Sequence, residues 1–145
     1  MKRWKFGLNL PGLLLFAAIM LPNLLWFAMP APDDVLRAPS VTPAIDAIGS
    51  ACQVLAVAAL TMLKRVDSKP RGCGPAPWCC VAAYWLGWLL YYCGCTRPAL
   101  LLALCLLPCA ALLACEIRHR NRIALIPTVA FTACHLAQTL INHII

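Results

Sequence analysis

Apolar residues dominate five stretches of this chain, and short polar segments separate them. The stretches cover residues 6–29, 44–63, 77–95, 98–115 and 123–144. As helices of about 18–24 residues, each is long enough to cross a hydrocarbon layer of about 30 Å. The pattern therefore predicts an all-α fold, a polytopic helical membrane protein with five transmembrane helices. We expect residues 1–145 to form a single integral membrane domain, because almost no chain is left over for a soluble one.

Polar residues inside these stretches recur at helical spacing. In the fifth stretch His135, Gln138 and Asn142 belong to one stripe. In the second stretch Asp46 and Gln53 belong to a comparable stripe. Because polar groups that face lipid are costly, both stripes should point into the helix bundle. Gln53 and His135 also fall at matching depth, so we expect stretches two and five to lie side by side or across one cavity.

The third stretch places large aromatic residues near the middle of the bilayer, at Tyr84, Trp85 and Trp88. These rings either pack against neighbouring helices or form the apolar wall of a ligand cavity. Two functional classes remain open: small-molecule binding or transport through an outward-opening cavity, or a non-catalytic accessory subunit of a membrane complex. In the first class the ligand-binding residues are Asp46, Gln53, Tyr84, Trp85, Trp88, His135, Gln138 and Asn142.

Basic residues indicate which way the chain crosses the membrane. Ten of the 12 Lys and Arg residues lie before stretch one or in the links after stretches two and four, and only Arg37 and Arg97 lie opposite. The positive-inside rule then predicts a cytoplasmic N-terminus and an external C-terminus. This distribution explains the net charge of +7, so we expect anionic lipid, and no nucleic acid, as partner. The expected location is a bacterial cytoplasmic membrane, with the first stretch retained because it is too long for a signal peptide.

Ten cysteines are spread along the chain, mostly inside the apolar stretches. There they behave as small apolar residues, and the sequence has no CxxC pair and no good zinc-binding spacing. We therefore expect mostly free thiols, no metal site and no cofactor. The arrangement Cys93-Gly94-Cys95, at the external end of stretch three, leaves a membrane thiol redox enzyme as a remote alternative. No nucleophile–base arrangement is readable in the chain, so an enzyme is not favoured.

The link between stretches one and two carries adjacent carboxylates at Asp33 and Asp34. Two carboxylates are far short of a full cation shell, so they do not predict a metal site. Asp34 also fits the cap of a short interfacial helix over residues 35–37. We expect this link to be stiff, because Pro30, Pro32 and two further prolines restrict its backbone.

Residues 21–37 read LPNLLWFAMPAPDDVLR. This segment resembles one in a group of small, uncharacterised integral membrane proteins of Gram-positive bacteria, and the similarity extends more loosely through residues 42–55 and 131–136. The resemblance implies a bacterial integral membrane protein and carries over no activity, ligand or catalytic residue. The five-span size is also similar to that of the tryptophan-rich sensory proteins, which bind porphyrins and sterols, but their motifs cannot be placed on residues 30–60.

Overall fold

The protein has five α-helices in the part of the chain that the computed structural model describes, residues 4–65 and 72–145. They are α1 (Leu10–Ala28), α2 (Pro43–Met62), α3 (Pro75–Tyr92), α4 (Pro98–His119) and α5 (Arg122–His143). The first four each have a proline within their first two positions, where the missing N–H has no helical partner to lose. The predicted all-helical fold class is therefore confirmed.

Four of these helices, α1, α2, α4 and α5, are long and apolar enough to cross a membrane. Helix α3 has 18 residues and none that is charged, but its tryptophans, tyrosines and prolines give it a lower mean hydropathy than the other four. The outer surface of the bundle is apolar as well, with exposed side chains that include Leu24, Val54, Leu89 and Ile126. A bundle with leucines outside and polar stripes inside is typical of a protein in an apolar medium.

The two ends of the bundle differ in structure. At one end, β1 (Trp4–Phe6) and β2 (Leu63–Arg65) form a short antiparallel ribbon. We call this the ribbon end, and the starts of α1, α3 and α5 lie there with the ends of α2 and α4. The opposite end, which we call the loop end, carries a 3-10 helix over Val35–Arg37, where a short helix was predicted.

Several predicted helix boundaries are wrong at the ribbon end. Residues 6–9 lie outside α1, because the N–H groups of Gly7 and Asn9 bond to carbonyls at the end of α2 and not to a helical turn. Helix α4 continues past its predicted end at residue 115 and stops at His119, where Arg120 adopts a left-handed φ of 52°. The ribbon accounts for the first error, since hydropathy does not distinguish a short apolar strand from the first turn of a helix.

Helix α2 packs most extensively against α5, and α4 packs against both α3 and α5. The predicted neighbours, stretches two and five, are therefore in contact. Gly49 allows this close approach, because an added Cβ there would lie 3.2 Å from the Cβ of Cys134. Small residues commonly let helices in membranes approach closely in this way.

A hydrogen-bond network around Asp34, which we call the latch, fixes the loop end. The carboxylate accepts bonds from Trp26 Nε1 at 2.9 Å, Tyr91 Oη at 3.0 Å and Arg37 Nε at 2.7 Å. Tyr91 is only 1% exposed, so the latch ties the loop to the core of the bundle. Asp34 precedes the helix over Val35–Arg37, but its side chain makes no capping bond there, because these three donors occupy it.

Candidate ligand cavity

A cavity of about 390 Å³ lies among the five helices. Apart from Leu36 of the 3-10 helix, its lining residues fall within positions 16–27 of α1, 45–53 of α2, 84–88 of α3, 101–112 of α4 and 131–143 of α5. In each helix these positions lie mainly in the half nearer the loop end. Toward the ribbon end the bundle is closed by the fully buried side chains of Leu15, Leu60 and Thr128. The cavity therefore occupies one half of the bundle, below the latch.

Most of the residues predicted to bind a ligand line this cavity. They are Asp46, Gln53, Tyr84, Trp88, His135 and Gln138. Gln53 and His135 line the same space, as their matching depth predicts. The polar stripes of α2 and α5 therefore meet at one site and do not face the outer surface.

The remaining two predicted residues, Trp85 and Asn142, lie outside the cavity. Trp85 is 41% exposed, and its Nε1 donates to the carbonyl of Ala18 at 2.8 Å. Tyr84 and Trp88 lie on the buried, inward face of α3, and position 85 lies outside that face. Asn142 accepts from the N–H of Val41 at 2.7 Å and donates to Thr42 Oγ1 at 2.9 Å. It fastens the link before α2 to the end of α5, so neither residue lines the cavity.

Trp88 is the centre of an aromatic wall. Its ring lies edge-on to the rings of Tyr84 and Tyr91, with centroids 6.2 and 5.6 Å away, and tilted against Trp26 at 6.1 Å. Trp88 is 6% exposed, and its Nε1 has no hydrogen-bond acceptor among the described residues. Leaving a buried donor unpaired costs about 1–3 kcal/mol. This N–H is therefore suited to an acceptor on a molecule inside the cavity.

The polar side of the cavity carries one carboxylate, Asp46, and its lining includes no lysine or arginine. Asp46 accepts a hydrogen bond from Thr42 Oγ1 at 3.2 Å, near the loop end. His135 lies deeper, with its ring stacked on Phe131 at a centroid distance of 5.2 Å. This lining can attract a positively charged group at Asp46 while aromatic rings contact an apolar body.

A buried carboxyl group that the sequence analysis missed lies on α4, between the cavity and the ribbon end. Glu116 is 1% exposed, and its Oε1 lies 2.6 Å from Thr128 Oγ1. The same hydroxyl lies 2.9 Å from the carbonyl oxygen of Ala124. The hydroxyl has only one proton, and when it donates that proton to Ala124 it can only accept a hydrogen bond from Glu116. This geometry fits a neutral Glu116 that donates to Thr128. The inward stripe of α5 was the available signal, since it places Thr128 in the core.

Three residues of metal-binding type meet at the ribbon end. Cys73, just before α3, and Cys115 of α4 form a disulfide, with their Cα atoms 4.8 Å apart. His119 follows Cys115 by one helical turn, and its Nδ1 lies 3.9 Å from the Cys115 sulfur. Sequence spacing does not indicate this cluster, because 42 residues separate the two cysteines. The expectation of no metal site, which rested on spacing along the chain, did not take this cluster into account.

The other eight cysteines are free. Between Cys93 and Cys95, Gly94 adopts a left-handed φ of 86°, and its N–H bonds to the carbonyl of Tyr91. This is the usual way in which glycine ends a helix, and it stops α3 at Tyr92, before the predicted boundary. The Cys93-Gly94-Cys95 arrangement is thus a helix end with two free thiols, which does not favour a redox enzyme.

Comparison with known proteins adds no relative. No family model, curated protein or solved structure matches this chain. The function is therefore inferred from the geometry and chemistry of the described residues.

Proposed function

We propose that this chain is an integral protein of a bacterial cytoplasmic membrane, with five transmembrane helices, a cytoplasmic N-terminus and an external C-terminus. Four apolar helices and the apolar outer surface support the membrane location. Helix α3 supports a fifth crossing, because it reaches both ends of the bundle. Cys73, just before it, is bonded to α4 at the ribbon end, and Tyr91 bonds to the latch at the loop end. The ribbon end, which carries six of the eight Lys and Arg residues that the structure describes, then faces the cytoplasm.

In this orientation the cavity lies in the outer half of the bilayer, and we propose that it binds or transports a small molecule. The observation that carries this proposal is the meeting of six polar and aromatic residues, from α2, α3 and α5, around one space of about 390 Å³. Ligand sites commonly have volumes of about 300–1,000 Å³. A purely structural core would fill such a space with side chains, because protein interiors are close-packed.

The lining favours a molecule with an apolar body and a positively charged group. Asp46 supplies negative charge, and no basic side chain in the lining opposes it except for histidines. Trp88 and Tyr84 offer ring faces and edges to an apolar or cationic group. A charge in a site of low dielectric needs a partner, so an anion would be excluded.

Two probe ions of similar size and opposite charge, tetraphenylphosphonium and tetraphenylborate, test this proposal. We expect the cation to quench the tryptophan fluorescence of the purified protein in mild detergent, and we expect the quenching to saturate as the cation concentration rises. The anion should bind at least tenfold more weakly. Replacing the carboxylate by Asp46→Asn should lower the affinity for the cation about tenfold, which corresponds to about 1.4 kcal/mol.

Matched variants separate the cavity from the surface. Asp33→Asn removes an exposed carboxylate at the loop end and should leave cation binding unchanged. Trp85→Phe removes a tryptophan outside the cavity and should preserve the quenching. Trp88→Phe should reduce it, and the part that remains comes from Trp26, which also lines the cavity. Equal binding of the two ions, or equal losses for Asp33→Asn and Asp46→Asn, would contradict the assigned role of Asp46.

An accessory subunit is the second candidate, and one surface feature favours it. A second, almost wholly apolar hollow of about 760 Å³ lies between α2 and α5, with Leu55, Ala58, Ile126 and Ala130 in its lining. Small residues such as these alanines allow a partner helix to approach closely. A membrane protein that co-purifies at fixed stoichiometry and is released by Ala58→Trp would support this candidate. Retention of that partner by Ala58→Trp would count against it.

A further inference from the structure

The ribbon end holds a cluster of ligand-type side chains that is separate from the cavity. Cys73, Cys115 and His119 offer two sulfur atoms and one imidazole nitrogen, all within 4.8 Å of one another. Both cysteines are buried, and His119 is partly exposed. In a tetrahedral zinc site, bond lengths of about 2.3 Å to sulfur and 2.0 Å to nitrogen place neighbouring ligand atoms about 3.5–3.8 Å apart. The 3.9 Å between Cys115 Sγ and His119 Nδ1 is close to this spacing.

The surroundings of the cluster suit metal binding. Asn9 Nδ2 lies 3.3 Å from Nδ1 of His119. Because an amide nitrogen can only donate, Nδ1 is the unprotonated ring nitrogen, and a metal that binds there takes the place of the Asn9 amide hydrogen, which keeps its bond to the carbonyl of Leu60. Arg118 Nε donates to the carbonyl of Gly72 at 3.0 Å. This bond holds the segment before α3 against α4 and brings a positive charge that favours thiolates nearby.

The redox compartment determines which form the two cysteines take. In the proposed topology the ribbon end faces the cytoplasm, where thiols are kept reduced. Two molecules of a glutathione-type thiol supply two electrons and two protons and are themselves oxidised to one disulfide. The Cys73–Cys115 bond is thereby reduced to two thiols. Each thiol releases one proton when it binds a divalent metal. Two thiolates, one neutral imidazole and Zn²⁺ then have no net charge, which suits a buried site.

We propose that reduced Cys73, Cys115 and His119 bind one zinc ion, which ties the segment before α3 to the last turns of α4. The disulfide is the oxidised form of the same site. Three protein ligands leave a fourth coordination position for water or an external group. This site goes beyond the proposed cavity function, because no residue of the cluster lines the cavity. Its reduced form rests on the proposed orientation, which places the ribbon end in the cytoplasm.

Cobalt titration of the full-length protein tests the proposal. The protein is purified in mild detergent, reduced, freed of metal and titrated with Co²⁺, which reports thiolate ligands by a charge-transfer band and tetrahedral geometry by its visible bands. We expect one equivalent of Co²⁺ to bind and Zn²⁺ to displace it. Cys73→Ser and Cys115→Ser should lose the charge-transfer band, and His119→Ala should weaken binding at least tenfold.

Controls use residues of the same type outside the cluster. The double variant Cys93→Ser/Cys95→Ser and the single variant His143→Ala should bind Co²⁺ as the wild type does. His119 is partly exposed, so we expect the His119→Ala variant to fold. If a serine variant of the buried cysteines fails to fold, the His119→Ala variant decides the result. Far-UV circular dichroism checks that each variant keeps its helices.

Two results would overturn the proposal. The first is a reduced wild-type protein that shows no thiolate-to-cobalt band, or a band that Cys93→Ser/Cys95→Ser removes and His119→Ala does not. The second is rapid alkylation of thiols in intact cells in which Cys73 and Cys115 stay unmodified before and after zinc chelation and react only after a reductant has been added. Alkylation of both cysteines after zinc chelation, and their protection before it, would support the zinc site.

Discussion

The carboxylate of Asp34 receives hydrogen bonds from Trp26, Arg37 and Tyr91, and its side chain is 10% exposed. Burial raises the pKa of Asp34, but these hydrogen bonds, together with the charge of Arg37, outweigh burial and hold the pKa below its ordinary value. A pKa that folding lowers means that the folded state favours the ionised form. The stability this provides is present above the unfolded pKa, about 4, and is lost as pH falls through the lower folded value.

Replacing this carboxylate by Asp34→Asn should therefore destabilise the protein. The amide keeps the size of the side chain but not the charge, and its nitrogen faces donors that need an acceptor. Hydrogen bonds to charged groups contribute about 1.5–3 kcal/mol, so we expect a loss in this range. Thermal unfolding in mild detergent, followed by near-UV circular dichroism, measures it.

A neighbouring carboxylate and the pH dependence provide the control. Asp33 is exposed, so Asp33→Asn should change stability by less than about 0.5 kcal/mol. The gap between wild type and Asp34→Asn should stay constant above about pH 5 and close below about pH 4. A gap that widens on acidification would show that the latch favours the protonated form, contrary to the lowered pKa.

Single residues differ in how far the sequence predicts them. Helical spacing is enough to predict that Asp46, Gln53 and His135 face inward, because a period describes one face of one helix. It does not describe contacts between helices. Glu116 lies just beyond a predicted boundary, and its partner Thr128 belongs to another helix, so neither hydropathy nor spacing indicates their bond.

At the scale of elements, the contact between α2 and α5 shapes the cavity, and Gly49 is a point of close approach between the two helices. An added Cβ at Gly49 would lie 3.2 Å from the Cβ of Cys134, an atom that no rotamer change can move. Both residues also line the cavity. The separation of the two helices therefore determines the packing energy and the shape of the site together.

Introducing a larger side chain by Gly49→Val should push α2 and α5 apart. Overpacking of this kind costs about 1–3 kcal/mol, and we expect a loss of stability of that size in thermal unfolding. The affinity for tetraphenylphosphonium should change as well, because the cavity wall moves. Ala47→Val places the same side chain on the exposed face of α2, and its stability should stay within about 0.5 kcal/mol of the wild type. Similar losses in both variants would indicate an effect of helix propensity, not of packing.

The helices themselves are well predicted from the sequence, and their ends are not. Continuous apolar stretches of this length leave little choice but helices, and prolines mark most of the starts. The ribbon between Trp4–Phe6 and Leu63–Arg65 has only three residues on each side and places Lys5 opposite Lys64. Such a short pairing of like charges has no sequence signal, because it depends on the bundle bringing two helix ends together.

At the scale of the whole molecule, helix α3 decides how many times the chain crosses the membrane. Its mean hydropathy falls short of that of the four candidate spans, yet it lies beside α4 along the bundle and reaches both ends. Tyr84, Trp88 and Tyr91 are buried against partners inside the protein, so they lower the mean hydropathy of the helix without making its outward surface polar. If α3 crosses the membrane, the number of crossings is odd, and the two ends of the chain lie on opposite sides.

Fusions to reporter enzymes distinguish five crossings from four. Alkaline phosphatase, which is active only outside the cytoplasm, should be active when fused after Ile145 and after residue 96, and inactive within residues 64–74. Green fluorescent protein at the same positions should give the reverse pattern, which controls for expression. If α3 stays on the cytoplasmic side, residue 96 remains inside, α4 crosses outward and α5 crosses back, so Ile145 is also inside. The phosphatase will then be inactive at residue 96 and at Ile145. That result would place the C-terminus inside and bring the loop end of α3 to the cytoplasmic surface. Since Tyr91 and the latch hold that end of α3 against the link between α1 and α2, such a topology would also contradict the arrangement of helices around the cavity.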